Sequence, residues 1–218
     1  MSADKDFSAR LIQGESVSSA SGLVVIDCRF SLADPGQGRK LYLQGHVPGA
    51  YYLHLDEDLS GPVKQHGGRH PLPDPDRFVA RLAELGIGPE TQVAVYDDSR
   101  MAFAARLWWM MCSIGFKPPA IFDGGYQAWL ALGIEAEIQV SAAQVCDAST
   151  GNRFSQVCDI QGVREAQARG ALLIDSREEP RFLGLEEPID PVAGHIPGAI
   201  NRPWQRLTSA AGTVVDKA

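Results

Sequence analysis

Four cysteines, Cys28, Cys112, Cys146 and Cys158, supply the thiols of this 218-residue chain. They are widely separated and form no C-x-x-C pair, the spacing that zinc and redox sites use, so no metal site is expected. Cys112 closes the apolar run Leu107-Trp-Trp-Met-Met-Cys112 and reads as packing, because a free cysteine behaves as a small hydrophobe. Cys28 ends an apolar run with no cation or helix terminus evident beside it to make a thiolate. The turn best placed for chemistry holds no cysteine. Val93-Ala-Val-Tyr96 runs into Asp97-Asp98-Ser99-Arg100-Met101 and then a segment bearing Arg106, Trp108 and Trp109. Successive backbone N–H groups in a strand-to-helix turn cradle an anion, and a cysteine there would ionise easily. Two carboxylates in that place are expected to repel an anionic ligand.

These residues belong to a repeated pattern. Leu23-Val-Val-Ile-Asp27-Cys-Arg29 is echoed by Ala171-Leu-Leu-Ile-Asp175-Ser-Arg177, so that Asp27 and Asp175 lie 148 residues apart. Gly45-His-Val-Pro-Gly-Ala50 is echoed by Gly194-His-Ile-Pro-Gly-Ala199, with Gly45 and Gly194 149 residues apart. Two motifs in the same order at nearly one offset mark a duplicated domain. Within it, His46 and His195 each stand just before a Pro-Gly turn and are expected to hold that turn by bonding backbone. Asp27, Arg29, Asp175 and Arg177 are expected to orient loops at strand ends rather than to move protons.

The elements that must position these groups alternate. Leu23 to Asp27 suits a strand buried on both faces. Asp74-Pro75-Asp76 supplies a cap, a first-turn proline and an acid for a helix carrying Phe78, Leu82 and Leu85, which Gly86 stops. Strands are expected over 92–96 and 120–122, and helices over 101–114 and 126–132. Strands alternating with helices imply an open parallel sheet flanked by helices. Residues 1–135 form the first α/β domain of this reading, and 136–153 a linker without periodicity. Residues 154–218 form a second, incomplete copy, with a helix near 157–169 and a strand over 171–175.

Composition narrows the partners. A net charge of −7 argues against nucleic acid and anionic membrane. The apolar run ending at Cys112 is far shorter than the roughly 20 residues a bilayer span needs. The first residues carry two acids and no apolar stretch of a secretory signal, so a cytoplasmic protein is expected, and a monomer. Gly36-Gln-Gly38 precedes no strand-to-helix turn, so no nucleotide fingerprint is supported.

The combined motifs resemble the tandem-domain rhodanese family, the thiosulfate and 3-mercaptopyruvate sulfurtransferases. The resemblance rests on Ile26-Asp-Cys-Arg29, Gly45-His-Val-Pro-Gly-Ala50, Val95-Tyr-Asp97 with Ala105-Arg-Leu-Trp-Trp109, and Phe122-Asp-Gly-Gly-Tyr126 with Trp129. It continues through Ile174-Asp-Ser-Arg177, Arg181-Phe-Leu-Gly184 and Gly194-His-Ile-Pro-Gly-Ala199. It implies a silent first domain, with aspartate at the nucleophile position, and a catalytic second domain working through a cysteine persulfide with no cofactor. Asp97 shifted by the repeat offset puts that cysteine near position 245, so the chain is expected to stop short of it and to hold no catalytic residue of its own. Arg181 matches the arginine that binds the anionic donor, with Asp175, Arg177 and His195 supporting the site. A planar guanidinium fork suits a sulfonate-like or carboxylate group. Mercaptopyruvate-preferring members usually carry a second arginine a little later, whereas Glu186 to Ala193 is acidic and arginine-free, which tilts the expected donor toward thiosulfate. The expected partners are therefore a small sulfur donor and a cyanide or thiol acceptor. A non-catalytic rhodanese-like binding or regulatory module is the alternative, favoured by Asp97. A phosphatase on the related fold would want a C-x5-R loop, and no cysteine is expected to be followed by an arginine at that spacing.

Overall fold

Short runs of β-branched and apolar residues build the sheet of the first half. In the computed structural model, which describes residues 10–65, 67–142, 145–148 and 153–215, the chain divides into two compact units, Met1–Ser155 and Gln156–Ala218. The first contains β1 (Arg10–Ile12), α1 (Gly14–Ser19), β2 (Val24–Asp27), α2 (Gln37–Gln44), β3 (Tyr51–Tyr52), α3 (Pro75–Glu84), β4 (Val93–Tyr96), α4 (Ala104–Ser113), β5 (Ala120–Phe122) and α5 (Gly125–Ala131). Its five strands lie in the order β1-β5-β4-β2-β3, and every pairing is parallel. This is the α/β sheet expected from the alternating pattern.

Both faces of the sheet are covered, as parallel strands require. On one face Ile26, Val93 and Val95 pack with Phe78 and Leu82 of α3 and with Leu107, Met110 and Met111 of α4. On the other, Val25 and Tyr96 pack with Val17 of α1 and with Phe122, Tyr126 and Trp129. The expected start of α3 is present: the Asp74 carboxylate accepts from the Asp76 and Arg77 amides at 3.1 and 3.0 Å and Pro75 occupies the first turn. Helix α4 begins three residues later than expected from its apolar spacing. Arg100 and Met101 take φ values of 58° and 70°, outside helical space.

Of the stretch read as a linker, residues 143–144 and 149–152 lie outside the described residues; the others lie against the rest of the first unit. His46 and Glu137 form an antiparallel bridge, the Tyr51 hydroxyl donates to the Ala142 carbonyl at 3.2 Å, and the Cys146 amide donates to the Ala83 carbonyl. Phe154 stacks on Trp109 with centroids 6.2 Å apart, and the hydroxyls of Ser113 and Ser155 donate to each other's carbonyls at 2.7 Å. An aperiodic, polar segment predicts no helix or strand, yet its backbone groups still need partners, and the loop at His46, β3, α3 and α4 provide them.

The second unit holds α6 (Ile160–Ala168), β6 (Ile174–Asp175), α7 (Glu179–Phe182) and β7 (Ile200–Asn201), followed by a 3-10 turn at Trp204–Leu207. Strands β6 and β7 pair in parallel, Ile174 with Ile200 and Asp175 with Asn201. The strand expected over 171–175 is thus only two residues long. Its counterpart β2 is flanked on both sides, by β3 and β4, whereas β6 has one neighbour among the described residues. Leu172 and Ile174, apolar residues suited to a buried strand, are 66% and 52% exposed.

Candidate functional site

In parallel sheets the strand carboxyl ends are where loops gather and ligands bind. At the end of β2 the Asp27 carboxylate accepts from the Arg29 backbone N–H at 2.9 Å, from Arg29 Nε at 3.1 and 2.9 Å and from Arg29 Nη2 at 2.6 Å. Arg29 Nη2 also donates to the Gly45 carbonyl at 2.7 Å. The Tyr96 hydroxyl donates to Asp27 at 2.7 Å, and the Arg29 guanidinium lies 4.0 Å from the centre of the Tyr126 ring. Asp27 and Arg29 are almost wholly buried, so charge and counter-charge meet in low dielectric. Helix α2 closes over this pin only because position 38 is glycine: a Cβ there would lie 1.9 Å from the Arg29 carbonyl oxygen.

The second unit repeats the pin bond for bond. Asp175 accepts from the Arg177 backbone N–H at 2.9 Å, from Nε at 3.1 Å to each oxygen and from Nη2 at 2.6 Å, and Nη2 donates to the Gly194 carbonyl at 2.6 Å. The two histidines match as well. His46 Nδ1 donates to the Tyr42 carbonyl and His195 Nδ1 to the Phe182 carbonyl, each at 2.7 Å. Each imidazole stacks on the ring of the residue whose carbonyl it bonds, at 3.9 and 3.7 Å. Tyr42 and Phe182 are therefore equivalent although they lie 140 positions apart, not 148 or 149. The second copy is shorter before this aromatic residue and longer after it, and the two changes nearly cancel.

The longer stretch, between Phe182 and His195, surrounds Arg181. Arg181 Nε donates to both Glu187 oxygens at 3.2 Å and its Nη2 to Glu187 at 2.8 Å. Nη2 also donates to Asp190 at 2.7 Å, and Arg177 Nη1 reaches the same Glu187 at 3.4 Å. The acidic segment noted in the sequence is thus folded onto Arg181, which brings Asp175, Arg177, Arg181, Glu187 and Asp190 into one ionic cluster. Glu187 and Asp190 were missed as site residues; their spacing from Arg181, six and nine positions on, carries no helical or strand periodicity that would have found them. His195 stands at the edge of the cluster through its bond to Phe182.

Arg177 hydrogen bonds hold the Asp175 carboxyl below the usual carboxylate range. Burial works against the charged form of Glu187, but the bonds from Arg181 and from the Asp190 and Ile189 amides outweigh it and hold this carboxyl low too. Groups with a lowered folded-state pKa stabilise the fold above their unfolded values, about 3.9 for Asp and 4.3 for Glu. That stabilisation is lost as the pH falls through the lowered values. Acidification from pH 5 to 3 is therefore expected to lower the urea midpoint of the second unit, and D175N to flatten that decline. Superposable pH profiles for the two proteins would refute the linkage.

In the first unit the turn after β4 is occupied from within. The Asp97 carboxylate, 2% exposed, accepts from the backbone amides of Ser99, Met101, Phe103 and Ala104 at 2.8 to 3.0 Å. The cradle expected there exists, and its anion is the chain's own side chain, turned inward rather than repelling a ligand from the loop. Burial raises the Asp97 carboxyl above its ordinary value while the four amides pull it back. Gly125 makes room for the turn: its φ is +56°, and a Cβ there would lie 2.1 Å from the Asp97 carbonyl oxygen.

Neither buried cysteine of the first unit is set up as a reactive thiol. Burial, then the charges of Asp27, Asp97 and Asp58, push the Cys28 thiol well up, and Cys112 is buried in α4. Contrary to the expectation that no cysteine has an arginine at C-x5-R spacing, that spacing occurs once, from Cys158 to Arg164. It follows no strand, and the Asp159 carboxylate already caps α6 through the Gly162 amide at 2.7 Å. Among the described residues no group of three or more His, Cys, Asp or Glu could hold a metal ion, and no helix is long and apolar enough to cross a membrane.

A parallel α/β sheet flanked by helices, with an Asp-x-Arg pin repeated in both units, defines the class as one of duplicated α/β domains. Comparison with known proteins makes the class specific. The family model of the rhodanese-like domain matches residues 5–132. A Pseudomonas aeruginosa protein described as a probable 3-mercaptopyruvate sulfurtransferase is 40% identical over 198 residues, covering 88% of this chain and 70% of its own length. A thiosulfate sulfurtransferase of Cricetulus griseus is 30% identical, covering 91% and 69%. The solved 3-mercaptopyruvate sulfurtransferase of Leishmania major superposes with a TM-score of 0.84 at 28% identity, covering 99% of this chain and 60% of that one. The chain belongs to the rhodanese family of sulfurtransferases, as its motifs implied, and spans about two thirds of the length of the curated relatives it matches.

Proposed function

We propose that the protein to which this chain belongs moves a sulfane sulfur from thiosulfate, or 3-mercaptopyruvate, to cyanide or a thiol. A cysteine beyond Ala218, near position 245, attacks as a thiolate either the outer sulfur of thiosulfate, breaking the S–S bond and releasing sulfite, or the thiol sulfur of 3-mercaptopyruvate, breaking the C–S bond and releasing the enolate of pyruvate, which takes up a proton; either way it becomes a persulfide. The acceptor then takes that sulfur and the thiolate is restored. The observation that carries this reading is the self-filled turn at Asp97, which leaves the anion-holding role to the second unit, where Arg181 stands beside a second copy of the pin. The names of the relatives, covering both donors, agree with it. Arg181 meets the anionic end of the donor, and Asp175, Arg177 and His195 hold the loop that presents it. The acidic stretch after Arg181 favours thiosulfate as donor. Four free cysteines, two of them buried, suit a reducing, cytoplasmic setting, and a net charge of −7 favours a monomer through self-repulsion.

Thiocyanate formation from cyanide is the test. The full-length protein should turn over at least one of the two donors, and R181A should raise its donor KM about tenfold or more, in line with loss of a charge-assisted bidentate contact. A full-length protein inert toward both donors would defeat the reading in favour of a binding module.

A further inference from the structure

The cluster around Arg181 contains more negative charge than positive. Arg177 and Arg181 face Asp175, Glu187 and Asp190, all within hydrogen-bond or ion-pair distance of one of the two guanidinium groups. An anionic donor cannot approach so neutralised an arginine unless one carboxylate gives way, because like charges brought together in a part-buried site repel strongly.

The three acids are not held alike. Asp175 is tied to Arg177 by the pin already described. The side chain of Glu187 is 5% exposed; besides both arginines it accepts from the Ile189 and Asp190 backbone amides at 3.2 and 3.0 Å. Its removal would break the turn that forms the cluster. The Asp190 side chain sits on the Nη2 corner of Arg181 and, at 42% exposed against 13% for Asp175, is the acid of the three nearest to water. Glu187 bonds Nε through both oxygens and shares Nη2 with Asp190, and Nη1 of Arg181 donates to no protein acceptor among the described residues.

Resting on the reading that Arg181 meets the donor, we infer that Asp190 is an internal stand-in for the donor's anionic group: it occupies Arg181 Nη2 when the site is empty and leaves when the donor binds. Glu187 is the positioning residue that keeps the guanidinium aimed in both states. Asp190 thereby sets how much negative charge a ligand must bring to displace it, which makes it a specificity-determining residue. This stretch has nine more residues between the aromatic ring and the histidine than its counterpart in the first unit, 13 positions against 4, and the added length is what reaches back to Arg181.

The test uses the full-length protein and two readouts, the calorimetric Kd for thiosulfate and the KM and kcat of thiocyanate formation. D190N should tighten the thiosulfate Kd and lower KM about threefold to fivefold, the range of a part-exposed ion pair, with kcat within twofold of the parent. E187Q should move Kd the other way. E186Q controls for charge alone, since Glu186 is exposed and removes the same charge from the same loop; it should give less than half the effect of D190N. Equal effects of D190N and E186Q, a weaker Kd in D190N, or no thiosulfate binding by either parent or D190N would each overturn the assignment. If the parent binds thiosulfate but transfers no sulfur, the proposed activity fails, while the Kd comparison still decides the role of Asp190.

Discussion

Replacing Asp97 with alanine is expected to cost the first unit several kcal/mol, in spite of removing an acid that burial penalises. The reason is the number of donors left behind. Four backbone amides converge on this carboxylate at 2.8 to 3.0 Å, and a buried donor without an acceptor costs about 1–3 kcal/mol. Water entering the turn will satisfy some of them, so a loss on the order of 4 kcal/mol is expected rather than the full sum. D97N should lose roughly half as much, because its amide keeps one acceptor oxygen while its NH2 faces donors. Urea unfolding at pH 7, followed by the fluorescence of the four tryptophans, three of which, Trp108, Trp109 and Trp129, lie in the first unit, measures both. A D97A midpoint equal to that of the parent would show that the turn does not depend on its internal anion.

The second large effect is expected at Arg29. R29A leaves Asp27, whose side chain is 0% exposed, as a buried charge with only the Tyr96 hydroxyl and a backbone amide for company. Breaking a buried pair from one side costs about 3–5 kcal/mol. The same change in the second unit, R177A, should cost only about 1 kcal/mol, because that pair is 29% and 13% exposed and water screens the orphaned Asp175. Burial dominates the comparison, since the two pins share their Asp–Arg hydrogen bonds and nearly their distances, and differ besides only in single contacts such as Arg177 to Glu187 at 3.4 Å and Arg29 over the Tyr126 ring. Equal losses in the two units, measured by hydrogen exchange at the amides of Leu53 and Arg202, which bond the Asp27 and Asp175 carbonyls, would contradict this account.

Much of the sheet was legible because buried parallel strands are written as apolar runs: Val24–Asp27, Val93–Tyr96 and Ala120–Phe122 fall within a residue of where composition puts them. The edge strands were not legible. Arg10–Ile12 and Tyr51–Tyr52 are three and two residues long, too short for a period to appear, and exist as strands because β5 and β2 offer them partners. Helix α2 was missed because Tyr42 is its only large buried side chain, which makes no stripe. In the site, the pins and histidine turns were visible as repeated motifs. The equivalence of Tyr42 and Phe182 was hidden by compensating length changes that left the motif offsets almost constant. Asp97 was found at the right turn but with its role reversed, since a sequence cannot show that a carboxylate points into its own backbone.

The contacts that Glu137, Ala142, Cys146, Phe154 and Ser155 make with the first unit also bear on where the two halves separate. A polypeptide ending at residue 135 would strip the Phe154 ring from Phe78 and Trp109 and leave the His46 backbone without its Glu137 partner. The natural seam for cutting the chain is therefore after Ser155, and a half molecule released there takes its own fastening with it.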